Sequence, residues 1–295
     1  MKIKLFSRKT NSDMPFTFGA PAMLWQVLFF YFPLLIIVVS SFLNISDLGE
    51  IQGLTFQKIA TFLSPTFMKV IFSSMLLGIS TSILCLLIGY PLAYFMAVRG
   101  KKYKNLLLFL LIIPFWTNFL LHVYAWFFVL EKEGMVNTIL MHLGFIQEPI
   151  HFLNSLFSIM IMMVYYYLPF MVLPIYSSLE RFDYKLIEAS LDLGATWAQT
   201  FRRVMLPLTL GGIRAGFFLV YIPSFGEFAI PELMGGDKYM FVGSVVSHYI
   251  LGDQTGSLGA AFTVVACVCL LLSACGLYYL LNKIILPKRR NEKRI

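Results

Sequence analysis

Apolar residues run through this chain in long blocks separated by short polar segments. Six blocks reach the roughly 20 residues needed to cross a bilayer core of about 30 Å at about 1.5 Å per residue. They lie near Ala22–Phe42, Val70–Val98, Leu106–Leu130, Leu156–Leu179, Leu208–Ile230 and Ala260–Ile285. The pattern predicts an all-α, polytopic membrane protein with six transmembrane helices and a single domain over 1–295. The first block follows the basic residues Lys2, Lys4, Arg8 and Lys9, and no small-residue cleavage site ends it, so it reads as a retained signal anchor.

Within the blocks, Pro91, Pro114, Pro169, Pro174 and Pro223 each delete a backbone hydrogen bond, which kinks a helix or breaks it beside a path. The pentapeptide "GIRAG", Gly212 to Gly216, has the small-xxx-small spacing of close helix packing. "LTFQKIATFL", Leu54–Leu63, predicts a short amphipathic helix along the membrane surface.

The longest polar interruption is 180–207. From Glu180 to Arg203 it holds four acids (Glu180, Asp183, Glu188, Asp192) and four bases (Arg181, Lys185, Arg202, Arg203). A loop that only orients the chain needs bases, and a lipid-binding loop is lopsidedly basic. Balanced charge points instead to a surface that meets another protein. Two short helices are predicted here. Asp183 caps the first, whose apolar stripe is Phe182, Leu186, Ala189 and Leu193, and Gly194 ends it. "TWAQ", Thr196 to Gln199, forms the capping box of the second. Pro207 then suits the first turn of the fifth span.

Composition sharpens this picture. The 295 residues are 59% hydrophobic and 13% charged, with mean hydropathy +0.78, too apolar for a soluble core to hide. The net charge of +8 does not indicate nucleic acid, because the bases lie beside apolar blocks. With the amino terminus inside, eighteen Lys and Arg fall on inner segments and four on outer ones (Lys58, Lys69, Lys132, Lys238). Arg214 sits near the inner end of the fifth span. This bias predicts both termini in the cytoplasm.

Familiar chemistry is absent from the sequence. No G-x-x-x-x-G-K-[ST] loop, H-E-x-x-H or G-x-S-x-G occurs. The four histidines (122, 142, 151, 248) and four cysteines (85, 267, 269, 275) lack metal-ligand spacing. No catalytic residue, metal ligand or cofactor is expected on this chain.

The polar stretch resembles the EAA loop of ABC-transporter permeases: E-A-A, three residues, G, nine residues, I-x-L-P. Here Glu188, Ala189 and Ser190 precede Gly194, and nine residues later come Val204, Leu206 and Pro207. Ser190 and Val204 depart from the pattern. "GYPLAYFMA" (Gly89–Ala97), "LLIIPFWTNFLL" (Leu110–Leu121), "YYYLPFMVLPIYSSLE" (Tyr165–Glu180) and "IPSFGEFAIPELMGG" (Ile222–Gly236) resemble the spermidine/putrescine branch, B- or H-type subunit. The resemblance implies a type I importer permease in the inner membrane of a prokaryote, moving polyamines by alternating access. It implies as partners two ATPase subunits that use ATP and Mg, a sister permease, an extracytoplasmic solute-binding protein and membrane lipid. It makes Glu188, Ala189, Ser190, Gly194, Leu206 and Pro207 the ATPase-coupling residues.

A polycation needs carboxylates to offset lost hydration and aromatic faces to lie against. Glu227, after Pro223 and Gly226, is the candidate carboxylate, and Tyr221, Trp116 and Tyr124 are candidate walls. The alternatives are a related importer for another small solute, an ion-driven secondary transporter using Glu227, or a membrane enzyme. The secondary transporter lacks visible repeats, and the enzyme lacks a reactive constellation.

Single cysteines at Lys102 and Glu133, in a background without the native four, are expected to react with an impermeant thiol reagent from opposite faces of the membrane. Labelling of both from one face overturns the topology.

Overall fold

The computed structural model describes residues 14–45, 51–98, 100–252 and 256–285. In chain order the elements are α1 (Gly19–Phe42), β1 (Leu43–Ile45), β2 (Ile51–Leu54), α2 (Gln57–Phe62), α3 (Pro65–Val98) and α4 (Lys104–Trp116). Then come α5 (Phe119–Leu130), α6 (Met135–His142), α7 (Leu156–Glu180), α8 (Lys185–Asp192), α9 (Trp197–Phe225), α10 (Ala229–Gly235), α11 (Val242–Ser247) and α12 (Gly256–Ile285). The two short strands pair antiparallel, Leu43 opposite Leu54. Among the described residues, α1, α3, α7, α9 and α12 are long and apolar enough to cross a membrane, and the bent segment 104–142 makes a sixth.

The core is a three-helix packing of α3, α7 and α9. It closes because glycines face the neighbouring backbones. A Cβ on Gly89 of α3 would lie 3.2 Å from Met171 and Val172 of α7. One on Gly216 would lie 2.9 Å from the Met171 carbonyl oxygen, and one on Gly212 2.5 Å from that of Pro174. "GIRAG" is therefore a true contact surface. Between these helices Met162, Met163, Met171, Ile175 and Val220 are fully buried, with unbranched Met side chains filling irregular gaps.

α12 runs along α9 and carries α1 on its outer side. Arg214 fastens α9 to α12, donating to Asn282 Oδ1 at 2.7 Å and lying 5.5 Å over the Tyr278 ring. The most apolar stretch of α1 buries no residue, and Trp25, Phe29 and Leu35 stay exposed, as suits a helix bathed in lipid. α2 forms where a surface helix is predicted, but Phe62 is sunk against Phe67, Tyr249 and Phe262, which anchors it to α12.

Three boundaries differ from the sequence reading. The third block, Leu106–Leu130, is not one straight helix: residues 104–116 and 119–142 meet at 98°. Pro114 starts a short 3-10 turn, Thr117 Oγ1 donates back to the Pro114 carbonyl at 2.8 Å, and Asn118 caps α5 by accepting from Leu120 N at 2.8 Å. The fifth span does not begin at Leu208; α9 starts at Trp197 and stays helical through a π turn at Phe201–Met205. It also ends early, at Phe225 rather than Ile230, because Pro223 weakens its last turn and Gly226 follows. Pro91, Pro169 and Pro174 lie inside unbroken helices.

Gly212→Ala is expected to destabilise the purified protein by about 1–3 kcal/mol through overpacking against α7. Gly211→Ala, where a Cβ meets nothing within 4 Å, should cost nothing. Thermal unfolding in detergent separates the two, and equal melting temperatures would refute the close crossing.

Candidate functional site

Two constellations stand out, one beyond each end of α9. The first is the turn joining α8 to α9. α8 begins after Asp183, whose Oδ1 accepts from Lys185 N at 3.1 Å. It ends in a Schellman motif: Ala195 N donates to the Ser190 carbonyl at 3.1 Å and Gly194 N to the Leu191 carbonyl at 2.9 Å. Gly194 has φ +81°, the left-handed region where a side chain is strained, although a Cβ there would meet no atom within 4 Å. Thr196 and Gln199 close the capping box that opens α9. Beneath the turn, Ser190 Oγ and Thr200 Oγ1 are 2.9 Å apart, and Thr200 is fully buried. The serine that departs from the E-A-A pattern thus supplies a partner for a buried hydroxyl. Burial pushes the Tyr184 phenol up to about 12, so it remains a donor to the Leu179 carbonyl at 2.9 Å.

Leu186, Ala189 and Leu193 of the predicted stripe of α8 face outward. Ile187 is the buried residue, while Leu186 and Leu191 are exposed and Leu193 is 89% exposed. Glu188 and Ala189 are exposed beside them, and Leu206 and Pro207 are half-buried in α9. The outward face of the turn therefore combines acids with uncovered leucines.

The second constellation lies two residues beyond α9. Glu227 sits in the gap between α9 and α10, half-buried. Its Oε2 accepts from the Tyr167 hydroxyl at 2.6 Å and its Oε1 from Ala229 N at 3.1 Å. Gly243 of α11 lets the chain pass: a Cβ there would lie 2.8 Å from the Glu227 carbonyl carbon. Around Tyr167 the rings form a continuous set. Tyr166 is 5.3 Å and Phe170 6.1 Å from Tyr167, and Phe115 and Phe119, flanking the 98° bend, lie 5.7 and 5.2 Å from Tyr166. His122 braces the bend, with Nδ1 2.8 Å from the Tyr165 hydroxyl and Nε2 against Thr117 Oγ1 and the Pro114 carbonyl. The two helix breaks are thus joined through α7: Tyr165 and Tyr166 meet the bend, and Tyr167 holds Glu227.

Tyr221, Trp116 and Tyr124 are the residues predicted to accompany Glu227. Tyr221 is fully buried, its ring against Gly78 and its hydroxyl 2.7 Å from Ser273 Oγ, so it packs the core and offers no face to a path. Trp116 and Tyr124 are 74% and 56% exposed on the bent segment. The ring that holds the carboxylate is Tyr167, and Tyr166, Phe170, Phe115 and Phe119 extend from it as a chain of ring contacts. Their signal was present in "YYYLPF" and "PFWTNF", two aromatic runs each next to a proline. Among the described residues no group of three or more His, Cys, Asp or Glu gathers as a metal site.

Comparison with known proteins agrees with this architecture. The family model for the binding-protein-dependent transport system inner membrane component matches residues 89–291. The chain is 40% identical over 241 residues to the spermidine/putrescine transport system permease protein PotB of Escherichia coli (strain K12), covering 81% of this chain and 88% of that one. It is 38% identical to PotB of Haemophilus influenzae over 88% of this chain and 91% of that one. It is 30% identical to the inner membrane ABC transporter permease protein YdcU of E. coli, over 85% and 84%. Among solved structures, a chain of a bacterial ABC transporter importing the acidic polysaccharide alginate superposes with TM-score 0.65 at 16% identity, covering 92% of this chain and 96% of that one. The fold is thus that of an ABC importer permease, and the chain belongs to the family of binding-protein-dependent transport system inner membrane components.

Proposed function

We propose that this chain forms the translocation path for polyamines in an ATP-driven importer, working by alternating access. The observation that carries the reading is Glu227, a half-buried carboxylate just past the end of α9, held by Tyr167 at the end of a chain of aromatic rings. A polyamine is a flexible chain of ammonium groups. Glu227 keeps acceptor capacity beyond its two hydrogen bonds, and each ring face adds about 0.5–2 kcal/mol to a cation. An unpaired carboxylate facing lipid would cost on the order of 2–3 kcal/mol, so a water-filled path is its favourable setting. The PotB relatives are named for spermidine and putrescine.

The α8–α9 turn is the ATPase-docking element in this reading. Its uncovered leucines and mixed charges suit a protein groove, and α9 carries any displacement of the turn toward Glu227. Two partner ATPases supply the energy from ATP and Mg, a sister permease completes the path, and an extracytoplasmic solute-binding protein delivers the cargo. Both termini and the turn lie in the cytoplasm, in keeping with the distribution of Lys and Arg.

Gly194→Val, which places a β-branched residue in the left-handed region at a cost of about 1–2 kcal/mol, is expected to lower binding-protein-stimulated ATP hydrolysis in proteoliposomes while membrane insertion persists. Gly194→Asn, which tolerates that region, should retain most of it. Full coupling in Gly194→Val would count against the docking role.

Glu227→Gln keeps shape and removes charge. Losing a charge-assisted contact of about 1.5–3 kcal/mol corresponds to a drop of roughly tenfold or more in spermidine or putrescine uptake. The complex should still assemble. Unchanged uptake kinetics would remove Glu227 from the path, and an assembled wild-type complex that moves no polyamine would remove the cargo.

A further inference from the structure

A second aromatic site lies at the opposite end of α9 from Glu227. α3 presents Tyr90 and Tyr94 one turn apart, and α9 presents Trp197 and Phe201 one turn apart. The rings meet pairwise across the groove: Tyr90 and Phe201 at 5.5 Å and 89°, Tyr94 and Trp197 at 6.3 Å and 65°. These edgewise approaches do not fill the space. They line a half-open pocket of about 220 Å³, floored by buried Met205 and edged by Pro91. At about 30 Å³ of liquid volume per water, this is room for a small ligand. Trp197, at 49% exposure, stands at the mouth, and the Tyr90 hydroxyl is taken up by Thr209 Oγ1 at 3.2 Å.

We propose that this four-ring box binds a primary alkylammonium group. None of its six lining residues carries a charge. The negative faces of the rings repel anions and attract cations, with indole the strongest of them. The apolar floor suits the short alkyl arm behind the ammonium. The following bases, Arg202 and Arg203, are exposed and sit off the Trp197–Phe201–Met205 row by helical position. The π turn at Phe201–Met205 adds a residue to that turn of α9 as it passes the box, a distortion frequent where helices line sites. A ligand held here touches α3 and the start of α9 at once, beside the docking turn. Two sources offer this chemistry: delivered polyamine, which rests on the cargo reading above, and the headgroup of phosphatidylethanolamine.

The test uses the assembled importer with its ATPases, carrying Glu227→Gln to silence the other candidate site. In phosphatidylglycerol nanodiscs, calorimetric titration with putrescine should show saturable binding. Trp197→Leu and Tyr94→Leu should each weaken it about tenfold, and Trp197→Phe should restore most of it. In nanodiscs of phosphatidylglycerol and phosphatidylethanolamine without free amine, native mass spectrometry should count retained phosphatidylethanolamine that is lost in Trp197→Leu if the lipid is the source. A ring-dependent response in either arm supports the box and names its source. If both arms are indifferent to Trp197→Leu and Tyr94→Leu, or neither ligand binds, the proposal is overturned. Uptake by the unmodified complex tests the cargo separately: no polyamine uptake with a ring-dependent binding response removes the cargo and leaves the box.

Discussion

The close crossing of α9 on α7 is the contact on which the rest of the architecture depends. Lipid supplies no hydrophobic push between helices, so they associate through packing and hydrogen bonds. Gly212 and Gly216 let the two backbones approach, and Gly89 leaves room for the Met171 and Val172 side chains where α3 meets α7. That geometry fixes α9, and α9 in turn positions both constellations. The α8–α9 turn precedes its first residue and Glu227 follows its last turn. A helix of 29 residues spans about 43 Å. It links the two ends by simple continuity, with the π turn and the Pro223 turn as its two soft points.

Much of this was legible in the sequence, because block length reports the thickness of the bilayer. The capping box at Thr196 and the turn glycine at Gly194 were legible too, since caps are local chemistry. The extent of α9 was not. Arg202 and Arg203 mark where the chain leaves apolar surroundings, but a helix does not stop where polarity begins. The bend at 114–118 was readable in principle from Pro114 and the Asn118 cap; the unbroken run of apolar residues concealed it.

Orientation about a helix axis was the main thing the sequence withheld. Periodicity grouped Leu186, Ala189 and Leu193 on one face of α8 and left open which way that face turns. The structure buries Ile187 instead, which makes the leucine face available to a partner. The inward packing of Tyr221 was hidden for the same reason. Gly78 leaves space for its ring inside the core, and Ser273 takes its hydroxyl. Sequence position placed it within a span, and only packing against two other helices decides its direction.

The placement of α1 has a consequence for how the chain is made. Its main packing partner is α12, the last of the described helices, so α1 enters the bilayer long before that partner exists. Some 200 residues must follow before α12 emerges, on the order of 10–40 s at about 5–20 residues per second. Throughout that interval α1 survives on lipid solvation alone, which its outward Trp25, Phe29 and Leu35 suit well. The bundle thus closes around α1 only when α12 arrives.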